Sequence, residues 1–122
     1  MIARLFAAAA LMTAAAIAAP AFAQDAPTTG DGVFALKCKA CHNDTPTARG
    51  PKLNGVFNRK IAGEAGYEYS DGLKGKSGKW TEANLDTYLT DPKAFAPGGK
   101  MPTKVADDGQ RKLVIGYLKT LK

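Results

Sequence analysis

Three residues with metal-binding or redox chemistry crowd one short stretch. Cys38, Cys41 and His42 stand in "KCKACHNDTPTARGPKLNG", residues 37–55, and they are the only cysteines and the only histidine of the 122-residue chain. Two thiols and an imidazole this close suit few chemistries. A C-x-x-C redox pair belongs at the start of a helix within a thioredoxin-like sheet. This chain has no stretch that alternates apolar and polar residues long enough for such strands, and its pair falls near the end of a predicted helix. A structural zinc site takes about four ligands, most often Cys and His. Here three are present, crowded together, with no second cluster to complete the set.

The third chemistry is C-x-x-C-H, the attachment sequence of a covalently bound haem. Two thiols two residues apart add to the two vinyl groups of one haem. The adjacent imidazole then sits beneath the iron as an axial ligand. That reading uses each of these three residues and leaves none over.

The remaining inventory depends on where the folded chain begins. Arg4 precedes an apolar run from Leu5 to Ala19. Pro20 ends the run, and Ala21 and Ala23 supply small residues before Gln24. This is the pattern of a secretory signal peptide, residues 1–23, cut before Gln24. An uncleaved anchor is the alternative, but 15 residues, mostly alanine, fall short of the roughly 20 that span a bilayer. The expected organisation is therefore a leader at 1–23, a short extension at 24–29 and one domain at 30–122.

Residues 24–122 contain 35 apolar residues out of 99, against 19 Gly and Pro. A chain so short and so rich in turn formers builds a thin core, and small domains compensate with disulfides, metals or cofactors. Two cysteines allow one disulfide at most. The formal charge is +6, with 17 basic and 11 acidic residues. A basic exported protein meets an anionic membrane, nucleic acid or an acidic protein partner, and export makes nucleic acid the least suitable of these.

His42 is the only histidine, so bis-histidine ligation of an iron is excluded. Met101 is the one methionine beyond the leader. It stands in "FAPGGKMPTK", in a Pro- and Gly-rich connection. A methionine that only fills a core gap belongs more naturally on a helix face. Met101 reads as the second axial ligand.

Three helices are predicted to position these groups, in an all-α domain. The first runs from about Asp31 to Cys41. The second runs from about Thr81 to Thr90, with Thr81 as N-cap and Leu85, Tyr88 and Leu89 as its apolar stripe. Asp91–Pro92 ends it. The third runs from about Asp108 to Leu121, with Asp107 or Asp108 as cap and Val114, Leu118 and Leu121 on one face. A short helical turn is predicted at Ser70–Lys74. Residues 43–80 are otherwise loop, yet they carry Leu53, Val56, Phe57, Ile61, Tyr67, Tyr69 and Trp80. Long structureless loops are uncommon in compact domains, so these side chains need an apolar body to wrap.

The order and spacing of "GDGVFALKCKACH", "RGPKLNGVFNRK", "GYEYSDGLKGKSGKW", "YLTDPKAFAPGGKMP" and "LVIGYLKTLK" resemble the class I c-type cytochromes, the small soluble bacterial relatives of the mitochondrial protein. The resemblance covers about residues 30–122. It implies three main helices and long loops around one covalent haem c. It implies that Gly30 and Phe34 pack against Tyr117 and that the Pro51 carbonyl accepts the His42 ring N–H. It places Arg59, Tyr69 and Trp80 around the haem propionates and Tyr88 near the methionine sulfur. The chain departs from the pattern at Gly99, where a threonine often donates to a propionate, and at Leu73, where an asparagine often joins a buried water network.

The function implied is a one-electron carrier of the periplasm, not an enzyme. Its partners are acidic redox proteins such as an oxidase, a reductase, a reaction centre or a dehydrogenase. A monomer without stable membrane insertion after cleavage is expected. In the family the attachment motif and the methionine loop border the exposed haem edge, so Lys37, Lys39, Lys93, Lys100 and Lys104 are expected to ring it. The competing readings are a catalytic or sensory haem protein that displaces Met101, and a thiol–disulfide oxidoreductase.

Overall fold

The computed structural model describes residues 10–19, 25–45 and 48–122. Most of the predicted leader and its cleavage point lie outside the described residues. The part that is described, 10–19, forms no helix or strand, and Leu11, Met12 and Ile17 are exposed.

The described residues form five helices in chain order: α1 (Gly30–Lys37), α2 (Asp71–Lys74), α3 (Glu82–Thr90), α4 (Pro92–Phe95) and α5 (Asp108–Leu118). Among the described residues the only β feature is an isolated bridge between Lys60 and Lys79. No helix there is long and apolar enough to cross a membrane.

The caps explain the helix starts. Thr29 accepts from the Gly32 N–H, and Asp107 accepts from the Gln110 N–H at 2.7 Å. Thr81 and Asn84 form a reciprocal capping box at the head of α3. Each satisfies backbone donors that the first helical turn leaves free.

Two helices are shorter than predicted. The first was expected to reach Cys41, but α1 ends at Lys37 with Cys38 as its C-cap. The Asn43 side chain donates to the carbonyls of Lys39 and Ala40, both at 3.1 Å. It thereby occupies acceptors that a continuing helix would offer to later N–H groups. One turn persists, closed by the His42 N–H on the Cys38 carbonyl at 2.9 Å. At the other end α5 stops at Leu118 rather than Leu121. The Thr120 hydroxyl takes the Tyr117 carbonyl at 2.6 Å, and the Leu121 carbonyl accepts from Gly55 at 2.8 Å. The last residues thus anchor the 53–57 loop instead of extending the helix.

Asp91 ends α3, as expected, and also starts a helix that the sequence reading lacks. Its side chain caps α4, with Pro92 at the first position, where a missing N–H costs nothing.

Helices α1 and α5 pack closely. Val33 and Val114 are fully buried, and the Phe34 and Tyr117 rings stand 5.1 Å apart. A Cβ on Gly30 would collide with the Leu113 carbonyl oxygen and lie 2.8 Å from Tyr117 Cβ, so only glycine permits this approach. Arg111 is buried on α5, which sequence patterning did not anticipate. Its guanidinium donates to Asp86 of α3 at 2.9 Å, to Asp108 at 2.8 Å, and to the carbonyls of Val105 and Ala106. A buried guanidinium is tolerated because nearly all its donors are used. It ties α3, α5 and the 105–106 strap together, while the Val105 N–H reaches the Leu89 carbonyl.

Candidate functional site

Cys38, Cys41 and His42 open onto a cavity between this helical pack and the loops. Pro51, Arg59, Tyr69, Trp80, Tyr88 and Met101 line the same cavity, so the nine residues singled out in the sequence come together. The empty space is about 1260 Å³, its open mouth included. Leu53, Val56, Leu85, Leu89, Val114 and Leu118 make much of the wall apolar.

The turn after α1 presents the two thiols. Both cysteines are free, with Cys38 buried and Cys41 partly so. Burial pushes the Cys38 thiol up to about 11, against the opposing charge of Lys37. A thiol held protonated in this way is a poor nucleophile.

His42 is held from two sides. Its Nδ1 lies 2.8 Å from the Pro51 carbonyl. A carbonyl only accepts, so Nδ1 carries the proton and Nε2 keeps its lone pair. Burial pushes the imidazole pKa down and the Pro51 bond partly restores it, while the charge of Arg59 lowers it further. The ring is therefore biased to the neutral form that a metal requires. Gly50 supports the other side. A Cβ there would come within 2.5 Å of His42 Cε1 and 2.6 Å of Nδ1, so no larger residue fits against the ring as placed. The Gly50 N–H also bonds the Cys41 carbonyl at 3.0 Å, closing the loop onto the attachment turn. Sequence reasoning missed Gly50; its place directly before Pro51 was the available signal.

Another part of the wall comes from Trp80, from α3 and from residues 100–103. Trp80, Tyr88 and Phe95 form an aromatic cluster with ring centroids 5.0–5.9 Å apart. Burial pushes the Tyr88 hydroxyl up to about 12, so it stays protonated. Met101 is half-buried and packs against this core. Leu73, in the place of the expected asparagine, adds another apolar side chain to the cavity wall.

A third, polar region lies at Arg59. One terminal nitrogen donates to Glu64 at 2.8 Å and to the carbonyls of Lys52 and Asn54 at 3.1 and 3.4 Å. Arg59 Nε is buried with no hydrogen-bond partner among the described residues. The Tyr69 hydroxyl accepts from the Glu64 N–H at 3.1 Å, which leaves its own proton free to donate. Glu64 was not singled out in the sequence.

These features fit a haem. An apolar slot suits a flat macrocycle, two free thiols suit covalent attachment, and a neutral imidazole and a thioether suit the two faces of an iron. An unpaired guanidinium N–H suits a propionate.

At Gly99 the constraint is space and not backbone conformation. The positive φ belongs to Gly98, at +80°, and Gly99 has none. A Cβ on Gly99 would instead lie 2.9 Å from the Ala96 carbonyl oxygen, with which the Gly99 N–H already bonds at 3.0 Å.

Comparison with known proteins gives the family. The cytochrome c family model matches residues 27–122. Cytochrome c2 of Rhodomicrobium vannielii is 41% identical over 106 residues, covering 84% of each chain. Cytochrome c-type cyt cy of Rhodobacter capsulatus is 42% identical over 111 residues, covering 84% of this chain and 56% of the relative, so this chain spans little more than half of that protein's length. Among solved structures, cytochrome cH from Methylobacterium extorquens aligns with a TM-score of 0.68 at 42% identity, over 75% of this chain and 94% of that one. The chain belongs to the cytochrome c family: it has the class I fold, carries a single covalent haem c and is an electron carrier rather than an enzyme.

Proposed function

We propose that this protein is a periplasmic one-electron shuttle in which Cys38 and Cys41 hold the haem by thioether bonds and His42 Nε2 and Met101 Sδ are the axial ligands. The observation that carries this reading is the convergence of these four residues on one largely apolar cavity, with His42 Nδ1 already committed to Pro51. When bound, the haem supplies a one-electron iron couple.

The chain's own residues set the conditions for that couple. Pro51 fixes the imidazole tautomer and raises its basicity. Met101 supplies a thioether, which favours the reduced metal and moves the potential upward. The apolar wall, including Leu73, Leu85 and Val114, acts in the same direction by disfavouring the more charged oxidised state. With His42 and Met101 as its two protein ligands, the iron would keep no open position for oxygen or peroxide.

The leader pattern supports export. The basic surface supports acidic redox partners, whether an oxidase, a reductase, a reaction centre or a dehydrogenase. Lys37 and Lys100 line the cavity. Lys39, Lys93 and Lys104 are exposed, and Lys104 pairs with Asp91 at 3.5 Å. A one-sided positive field speeds encounter without making the complex long-lived.

Met101→Ala tests the ligand set. The near-infrared band characteristic of a sulfur-ligated ferric haem should vanish and the potential should fall, with water, Lys100 or Lys104 taking the site. Retention of both the band and the native potential would exclude Met101.

A further inference from the structure

We infer that Glu64 is a positioning residue for the anionic end of the haem, acting through Arg59 and Tyr69 at once. The inference rests on the haem site proposed above. It begins with an asymmetry at Arg59. One terminal nitrogen of the guanidinium is held by Glu64 and two backbone carbonyls, while Nε is buried without a partner among the described residues, on a side chain that lines the cavity. The held end cannot turn without breaking the 2.8 Å ion pair. The guanidinium is therefore fixed beside the cavity with donors left over for a carboxylate.

Tyr69 carries the same signature. Its hydroxyl oxygen accepts from the Glu64 N–H, so its proton is directed elsewhere, and Tyr69 lines the cavity too. One residue thus sets the direction of two donors, through its side chain in one case and its backbone in the other. Glu64 does not line the cavity itself. Its carboxylate is 29% exposed, against 17% for the Arg59 side chain, so the pair is partly shielded from solvent.

The charge consequence has a definite sign. Arg59 alone would place a positive charge beside the haem and favour the reduced state, which carries one positive charge fewer. Glu64 cancels part of that field. Removing its charge should therefore raise the potential. The effect should run through Arg59, because Glu64→Gln leaves the guanidinium's charge uncancelled beside the haem.

The test is a cycle of potentials on the haem-loaded protein. Glu64→Gln preserves shape and an acceptor oxygen and should shift the potential upward. Glu64→Asp keeps the charge and should return it most of the way. In an Arg59→Met background the shift caused by Glu64→Gln should largely disappear, since coupled residues are non-additive. The near-infrared sulfur–iron band is read on every sample. Its presence shows the ligand set intact, so an unmoved potential then counts against Glu64 and not against the haem site. An unchanged potential in Glu64→Gln, even with lowered stability, would overturn the inference. So would an undiminished shift without Arg59, which would mean that Glu64 acts only as a distant charge.

Discussion

The two halves of this molecule are held together differently. Where α1 crosses α5, side chains find their partners in the protein: Val33 and Val114 are fully buried, and Phe34 meets Tyr117. In the wall built from residues 49–73 and 96–104, Leu53, Tyr67, Tyr69, Leu73 and Met101 are only partly buried, and each lines the cavity. The backbone differs as well. The crossing uses regular helices, while the wall is stitched by single bonds such as Tyr67 hydroxyl to Arg49 carbonyl at 2.9 Å and Lys100 to the Glu68 carbonyl at 2.8 Å. The helical pack is a protein core in the ordinary sense. The wall is half of a core whose other half is the cofactor.

The largest effect should follow from removing that other half. Cys38→Ala with Cys41→Ala should prevent stable covalent haem, and the cooperative thermal transition seen by circular dichroism should be lost. The wall side chains would then face water, and each large apolar side chain left unburied forgoes roughly 1.5–3 kcal/mol. A native-like transition without haem would erase the distinction between the two halves.

Gly30→Ala breaks the helical side instead. The new methyl must displace the Leu113 carbonyl or Tyr117. Overpacking of this kind costs about 1–3 kcal/mol, read as a lower denaturant midpoint, with the potential nearly unchanged. Gly50→Ala is its counterpart on the wall. It should cost a similar amount and also raise the potential, because a displaced ring weakens the His42–Pro51 bond and the basicity that bond confers. Stability and potential measured together separate the two glycines. If both variants move the potential equally, the halves are not independent.

A smaller change is expected at Gly99→Thr. A new hydroxyl bond to a propionate would add about 0.5–1.5 kcal/mol. The close approach to the Ala96 carbonyl opposes it, and a net loss of about 1 kcal/mol is expected. Unfolding titrations give the sign.

The smallest effect is kinetic. If the cavity mouth is the docking face, charge reversal at Lys37 or Lys93 should slow bimolecular electron transfer more than reversal at Lys122. The rate should also fall steeply with salt, since charges are screened within about 8 Å at physiological ionic strength. Equal losses at all three lysines would place docking elsewhere.

Much of the fold was legible in the sequence because local signals carried it. Thr81 and Asp107 are caps where cap residues were expected, a short helix stands at the predicted turn with Ser70 as its cap, and Asp91–Pro92 ends α3 as a proline must. Errors fell where a contact outside the helical ladder competes with it. Just beyond the first helix Asn43 takes the carbonyls of Lys39 and Ala40, and beyond the last the Leu121 carbonyl is taken by Gly55. Helix α4 was missed because a four-residue turn after a proline leaves no periodicity to read.

The chemistry divides along the same line. The sequence by itself determined the donor atoms: two thiols, one imidazole and the one thioether after residue 23, in a stretch with few apolar residues and many Gly and Pro. Those are properties of composition and spacing. Only the tertiary structure decided how the donors are held. Gly50 behind the imidazole, Arg111 across α3 and α5, and Glu64 between Arg59 and Tyr69 carry no local signature. Each role arises when residues that are not neighbours in sequence meet in partly buried space, where a missing Cβ or an unpaired N–H becomes decisive.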